Sequence, residues 1–342
     1  MKLDVGMLTH DLKSIPSYAR KVEALGFDCL WSSETQHDPY LPLAVAAGVT
    51  SRIKLGTSIA VVFPRSPMIT AHIAWDLQKA SEGRFVLGLG TQVKGHNERR
   101  FGVKWDKPVE KMREVILAVR AIWDCWQNKT RLNFQGEYFK LNLMTPFFSP
   151  EPHEYHRIPI FIAGVNRRMC QLGGELCEGF HVHPLHSARY IREVVLPNIE
   201  QGLAKAGRQR KDLELSSSLF VIPTDDPKEA ARYESEVRQQ ISFYASTPPY
   251  RPVFDLEGWG GVADQLKGLA ARGRWNEMPA VITDEMLDRL VLRGCWAELP
   301  GKVLNKYVGL LDRVSYYFPF EPGTNDVLWR DAIGTLSDKS PA

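Results

Sequence analysis

Several things are scarce in this chain of 342 residues. Cysteine is one: Cys29, Cys125, Cys170, Cys177 and Cys295 are odd in number, far apart, and form no CxxC pair. That excludes a disulfide framework and the usual zinc spacings, and points to thiols in a reducing compartment. Charge of one sign is scarce too, with 43 Lys and Arg against 40 Asp and Glu. The few basic clusters, such as Arg99–Arg100 and Arg167–Arg168, do not interleave with aromatic residues, so no nucleic-acid partner is expected. No apolar run is long enough to span a bilayer. No signal-like segment precedes the first strand pattern. We therefore expect a soluble, cytoplasmic protein that makes no membrane contact.

What is present is a serial pattern. Short apolar runs occur at Leu3–Thr9, Cys29–Ser33, Ile53–Val62, Phe85–Gly90, Pro159–Gly164, Gly179–His183, Leu213–Ile222 and Val314–Pro319. Helix-length amphipathic segments separate them. The best patterned runs from Pro108 to Trp126, with Met112, Ile116, Val119, Trp123 and Trp126 on one face. Strand and helix in alternation give parallel pairing, and this number of units closes most economically into an α/β architecture, the (β/α)8 TIM barrel. The chain reads as one such domain over 1–342. Two insertions interrupt it, at about 127–157, with a hairpin-like Phe134–Phe139, and at about 244–299, with little strand pattern.

A barrel of this kind carries its chemistry at the C-terminal ends of its strands. The second strand ends in Glu34, His37 and Asp38, three ionisable residues within five positions, suited to acid–base work or to capping the next helix. Arg65, between prolines after the third strand, is a candidate anion ligand or a plain surface arginine. The fourth strand ends in Gly88-Leu89-Gly90-Thr91, where the backbone can approach a ligand, and His96 follows. The fifth ends in Gly164-Val165-Asn166-Arg167-Arg168 entering a helix, a candidate phosphate cradle or a plain helix cap. The sixth carries His181 and His183, whose spacing puts both on one side of a strand, as a metal site would need. The other histidines near strand ends, His10, His37 and His96, lack metal-binding spacing, so hydrogen-bonded histidines without a metal are the preferred reading. A metal-dependent hydrolase on His181 and His183 is the rival.

In order, Ala24-Leu25-Gly26-Phe27-Asp28, Leu30-Trp31-Ser32-Ser33-Glu34, Arg52-Ile53-Lys54-Leu55-Gly56-Thr57, Arg65-Ser66-Pro67 and Gly83–Gly90 resemble the bacterial luciferase-like superfamily of flavin- and deazaflavin-dependent oxidoreductases. The resemblance spans nearly the whole chain and is nearest to the branch that uses coenzyme F420, a 5-deazaflavin. It implies hydride transfer between that coenzyme and a small organic substrate, which the aromatic residues of the second insertion suggest is apolar. The alternative on the same scaffold is an FMN-dependent monooxygenase using reduced flavin and oxygen, and a non-catalytic flavin binder is a further one. The resemblance also implies a cis peptide at Ser58–Ile59 backing the ring, with Thr9, Ala60, Gly90, Thr91, Gly164, Val165, Asn166 and Arg167 around the coenzyme. Glu34, His37 and His96 are the candidate catalytic groups. Many members place a histidine directly after the strand-two acid, where this chain has Thr35, and His37 is the nearest replacement. Tyr244, Tyr250 and Trp259 of the second insertion are expected to roof the substrate pocket. Family members commonly pair, so a homodimer or higher oligomer is expected.

Overall fold

The computed structural model describes residues 1–9 and 11–338, so His10 lies outside it. The eight apolar runs form the eight strands of a closed parallel barrel: β1 Lys2–Gly6, β2 Cys29–Ser32, β3 Lys54–Thr57, β4 Phe85–Gly90, β5 Ile160–Gly164, β6 Gly179–Val182, β7 Glu214–Pro223 and β8 Arg313–Tyr316. Each pairs with the next, and β8 closes on β1 through Lys2 opposite Arg313 and Asp4 opposite Ser315. Alternation along each strand divides the core. Leu3, Leu30, Leu55, Leu87 and Ile162 face the helices and join the large apolar layer, whereas Cys29, Trp31, Val86 and Phe161 form a separate cluster inside the ring.

Local signals explain the helix ends. Pro67, Pro108 and Pro227 start helices Pro67–Ala80, Pro108–Asn128 and Pro227–Ala245, and the Ser66 hydroxyl accepts the Ile69 N–H at 3.2 Å. Gly26 closes the first helix at φ 99°, a conformation that costs a side-chain-bearing residue more. Helix Pro108–Asn128 buries Met112, Val115, Ile116, Val119, Ile122 and Trp126 at 1% exposure or less, each contributing roughly 1.5–3 kcal/mol of burial. Helix Leu41–Ala47 ends where Gly48 and the Thr50 hydroxyl bond to Ala46 O break the regular pattern.

The first insertion holds the expected hairpin, Phe134–Gln135 antiparallel to Lys140–Leu141. The Glu114 carboxylate anchors it, accepting the N–H groups of Glu137, Tyr138 and Phe139 at 2.9, 2.8 and 2.5 Å. The second insertion is mostly helical and builds a satellite core around Phe254, Leu266, Ile282 and Leu287. It also contains a strand that its sequence pattern did not reveal. Val291–Gly294 pairs with Phe220–Pro223, the end of β7 that outruns β8. Among the described residues no helix is long and apolar enough to cross a membrane.

Candidate functional site

The barrel interior is built in layers. At the bottom, Arg313 and Asp4 are each 1% exposed and joined by two bonds of 2.9 and 2.7 Å, and Trp31 Nε1 donates to the same carboxylate at 2.9 Å. Above them Trp31 fills the axis over Gly56, where a Cβ would collide with its ring. His181 stands edge-on to Trp31, centroids 4.9 Å apart, with Nδ1 3.1 Å from the Ser216 hydroxyl. Burial pushes its pKa down to about 3. The layer nearest the mouth is made of small residues: Gly6, Ala163, and Ser218 hydrogen-bonded to Ser315 at 2.6 Å. A Cβ at Gly6 would meet nothing within 4 Å, so the floor beneath the mouth is open.

The wall between β2 and β3 is a clamp. The Ser58–Ile59 peptide is cis, as the resemblance implies. The Ser33 hydroxyl donates to Ser58 O at 2.8 Å, the Glu34 N–H to Ile59 O at 3.1 Å, and the Ser58 N–H to Ser32 O at 2.8 Å. Past it, Ala60 and Val61 pair with β4. The Glu34 carboxylate accepts the Val61 N–H and an Arg65 N–H, both at 2.7 Å, and Arg65 also reaches Asp38 at 3.1 Å. Arg65 is thus held by two carboxylates and is not an anion ligand. Asp38 caps the following segment, accepting from Tyr40 and Leu41 N–H.

A Cβ at Gly90 would lie 2.5 Å from Ile59, so the missing side chain makes room for Ile59 beside the cis peptide. Thr91 O accepts from Asn97 Nδ2 at 2.8 Å, and Asn97 is fully buried. This ties helix Lys94–Arg99, which exposes His96, to the end of β4. Arg100 at the end of that helix donates to Thr35 O, bringing it against the loop that carries an exposed His37. A cleft of about 600 Å³ opens between this helix and Thr247–Pro249 of the second insertion. Gly164 packs on Met169 and Phe180, and Tyr190 OH donates to Val165 O at 3.0 Å. Asn166 begins helix Arg167–Leu176 without a side-chain cap. Its Nδ2 lies 3.5 Å from Pro249 O, and Arg167 is exposed beside it. Thr9 is spent locally, accepting the Asp11 N–H at 3.1 Å.

Over the mouth, Tyr250 stacks on His183 at 4.1 Å and Tyr244 meets the same ring edge-on at 4.5 Å. Tyr244 OH and Tyr317 OH are 2.6 Å apart, which ties the insertion to the end of β8. Trp259 packs on Phe254, and all three aromatics rest on the satellite core. The structure brings Tyr244 and Tyr250 together at His183, whereas the ring contact of Trp259 among the described residues is with Phe254. The two strand-six histidines do not form a shared pair. His181 addresses Ser216, and His183 Nδ1 accepts the Leu185 N–H at 3.1 Å. Among the described residues no three His, Cys, Asp or Glu side chains converge as a metal site requires. Ser33 and Tyr317 are contacts that the sequence reading does not single out. Ser33 had a signal in its inward strand position beside Glu34, whereas Tyr317 depends on a partner 73 residues away.

Comparison with known proteins agrees with this architecture. A family model described as luciferase-like monooxygenase matches residues 3–313. An uncharacterized protein of Mycobacterium tuberculosis is 43% identical over 92% of both chains. The 5,10-methylenetetrahydromethanopterin reductase of Archaeoglobus fulgidus is 30% identical over 79% of both. In structure, the coenzyme F420 dependent tetrahydromethanopterin reductase of Methanopyrus kandleri superposes with a TM-score of 0.76 at 18% identity, covering 99% of this chain and 98% of that one. The chain belongs to the luciferase-like monooxygenase family, a group of flavin- and deazaflavin-dependent oxidoreductases.

Proposed function

We propose that this protein transfers a hydride between coenzyme F420 and a small, apolar organic substrate. The observation that carries the reading is the clamped Ser58–Ile59 wall standing beside an open floor of small residues at the barrel mouth. That shape fits the flat face of a deazaflavin ring. The uncapped start of helix Arg167–Leu176, with Asn166 and Arg167, fits its phosphate. Relatives named for F420 or for reduction of a tetrahydromethanopterin support the coenzyme choice.

When bound, the coenzyme supplies the two-electron chemistry. The chain supplies position. Ser33 and Glu34 hold the wall, Gly6, Ala163 and Ser218 leave room for the ring, and Tyr244 with Tyr250 covers the substrate side and excludes water. Glu34 already receives Val61 and Arg65, so in this reading it positions the wall, and proton movement falls to His37 or His96. The family description favours a second reading, FMN-dependent monooxygenation on the same surfaces.

The test is a parallel titration with oxidised and reduced F420 and with FMN, followed by intrinsic tryptophan fluorescence. Preference for F420 supports hydride transfer. Preference for FMN overturns it in favour of the monooxygenase, and binding of neither removes both.

A further inference from the structure

We propose that His183 is the substrate's hydrogen-bond donor, presenting Nε2–H to the oxygen of a neutral carbonyl compound. The tautomer follows from geometry. Nδ1 accepts the Leu185 N–H at 3.1 Å, so in the neutral ring the proton sits on Nε2. That nitrogen has no hydrogen-bond partner among the described residues, yet unlike Nε2 of His181 and His186 it is not sealed away. The ring that carries it stands just beyond β6, on the inward side of the barrel mouth, stacked on Tyr250 and edge-on to Tyr244.

The surroundings define the ligand. A group that only donates selects an acceptor. Among the described residues no Lys or Arg bonds to the His183 ring, and the charge-bearing group that acts on it, His186, is itself kept neutral by burial, so the donor faces a neutral oxygen more readily than a carboxylate or phosphate. The tyrosine faces suit an apolar body. Burial pushes the His183 pKa down to about 3, so the ring donates a hydrogen bond without giving up a charge-bearing proton. A neutral imidazole of this kind stabilises an oxygen on which negative charge grows.

The chemistry rests on the hydride-transfer reading above. The carbonyl carbon gains the hydride supplied by reduced F420, which is thereby oxidised. The π pair of the C=O bond moves onto oxygen, and that oxygen takes its proton from His37 or His96, the groups to which proton movement falls in that reading. The bond from Nε2–H strengthens along this path. The substrate class is therefore ketones and aldehydes with apolar or aromatic bodies, or the corresponding alcohols in the reverse direction.

The experiment uses the full chain with nitrogen-labelled histidine, cyclohexanone as probe, and the variants His183→Phe and His183→Gln. Phe keeps the stack on Tyr250 and lacks the donor, whereas Gln keeps an N–H near the Nε2 position. Expected are an Nε2–H resonance for His183 that shifts saturably with cyclohexanone, and resonances of His181 and His186 that do not move. His183→Phe should bind the probe about tenfold more weakly and His183→Gln should recover part of that loss. F420 affinity should be the same in all three proteins. An Nδ1–H tautomer, no shift, or a Phe variant that binds cyclohexanone like the parent overturns the proposal. Failure of the coenzyme to bind strikes the hydride-transfer reading separately, because the probe titration is read without it.

Discussion

His181 and His186 are 6% and 2% exposed, and burial pushes their pKa values down to about 3 and about 4. In the unfolded chain a histidine titrates near 6.5. Below that value the unfolded state binds protons that the folded state refuses, so stability falls as pH falls. The loss begins near pH 6.5 and flattens only below about pH 3–4, where the folded rings also protonate. Between pH 7 and pH 5 each ring removes about 2 kcal/mol, and the pair about 4 kcal/mol. The double variant His181→Asn with His186→Asn isolates this effect. Asn places a polar group near each Nδ1, where His181 meets Ser216 at 3.1 Å and His186 meets His183 O at 2.8 Å. Urea unfolding of both proteins at the two pH values, followed by tryptophan fluorescence, gives the comparison. The variant is less stable at pH 7 but should lose about 4 kcal/mol less on acidification. Glu175, held down to about 2 chiefly by Arg113, contributes its own loss at lower pH and in both proteins alike. Parallel pH dependences would refute the assignment of these rings as the source.

Three further outcomes follow from the geometry. Asn166→Ala with Arg167→Ala should weaken F420 binding about tenfold with the melting temperature unchanged, and unchanged affinity removes the β5 end from the coenzyme site. Asp4→Ala leaves the Arg313 guanidinium, 1% exposed, with Glu214 at 3.2 Å in place of its two bonds to Asp4, and should cost about 3 kcal/mol in chemical denaturation; a loss under about 1 kcal/mol contradicts a buried pair. Glu114→Ala releases three backbone N–H groups and should open the Phe134–Leu141 hairpin to limited proteolysis while the barrel survives; an unchanged cleavage pattern shows that the carboxylate is not its anchor.

The eight strands were legible because each carries its own apolar run, and register follows once alternation fixes which face meets the helices. The Ser58–Ile59 position was legible through family resemblance alone. Nothing in the local sequence reports that Glu34 reaches Arg65 across 31 positions, or that Gly90 exists to admit Ile59. Val291–Gly294 was hidden because four residues directly after a helix carry too little period to mark a strand. Aromatic residues in an insertion serve a satellite core as readily as a pocket roof, so composition does not rank Tyr244, Tyr250 and Trp259. For Glu34, Gly90 and Val291–Gly294 the deciding partner is distant in sequence.

The two tyrosine hydroxyls that join Tyr244 to Tyr317 carry a consequence for traffic. One foot of the second insertion stands on the end of β8 through that bond, and the other comes down beside β5, where Pro249 meets Asn166. A span with both feet planted is an arch, not a lid. The cleft on the side facing Lys94–Arg99 leaves its flank open, so in the proposed reading substrate enters there without the span lifting. The arch also separates two kinds of variation. In the proposed reading, residues along its underside change which substrate fits, while the barrel below keeps the same footing for the coenzyme.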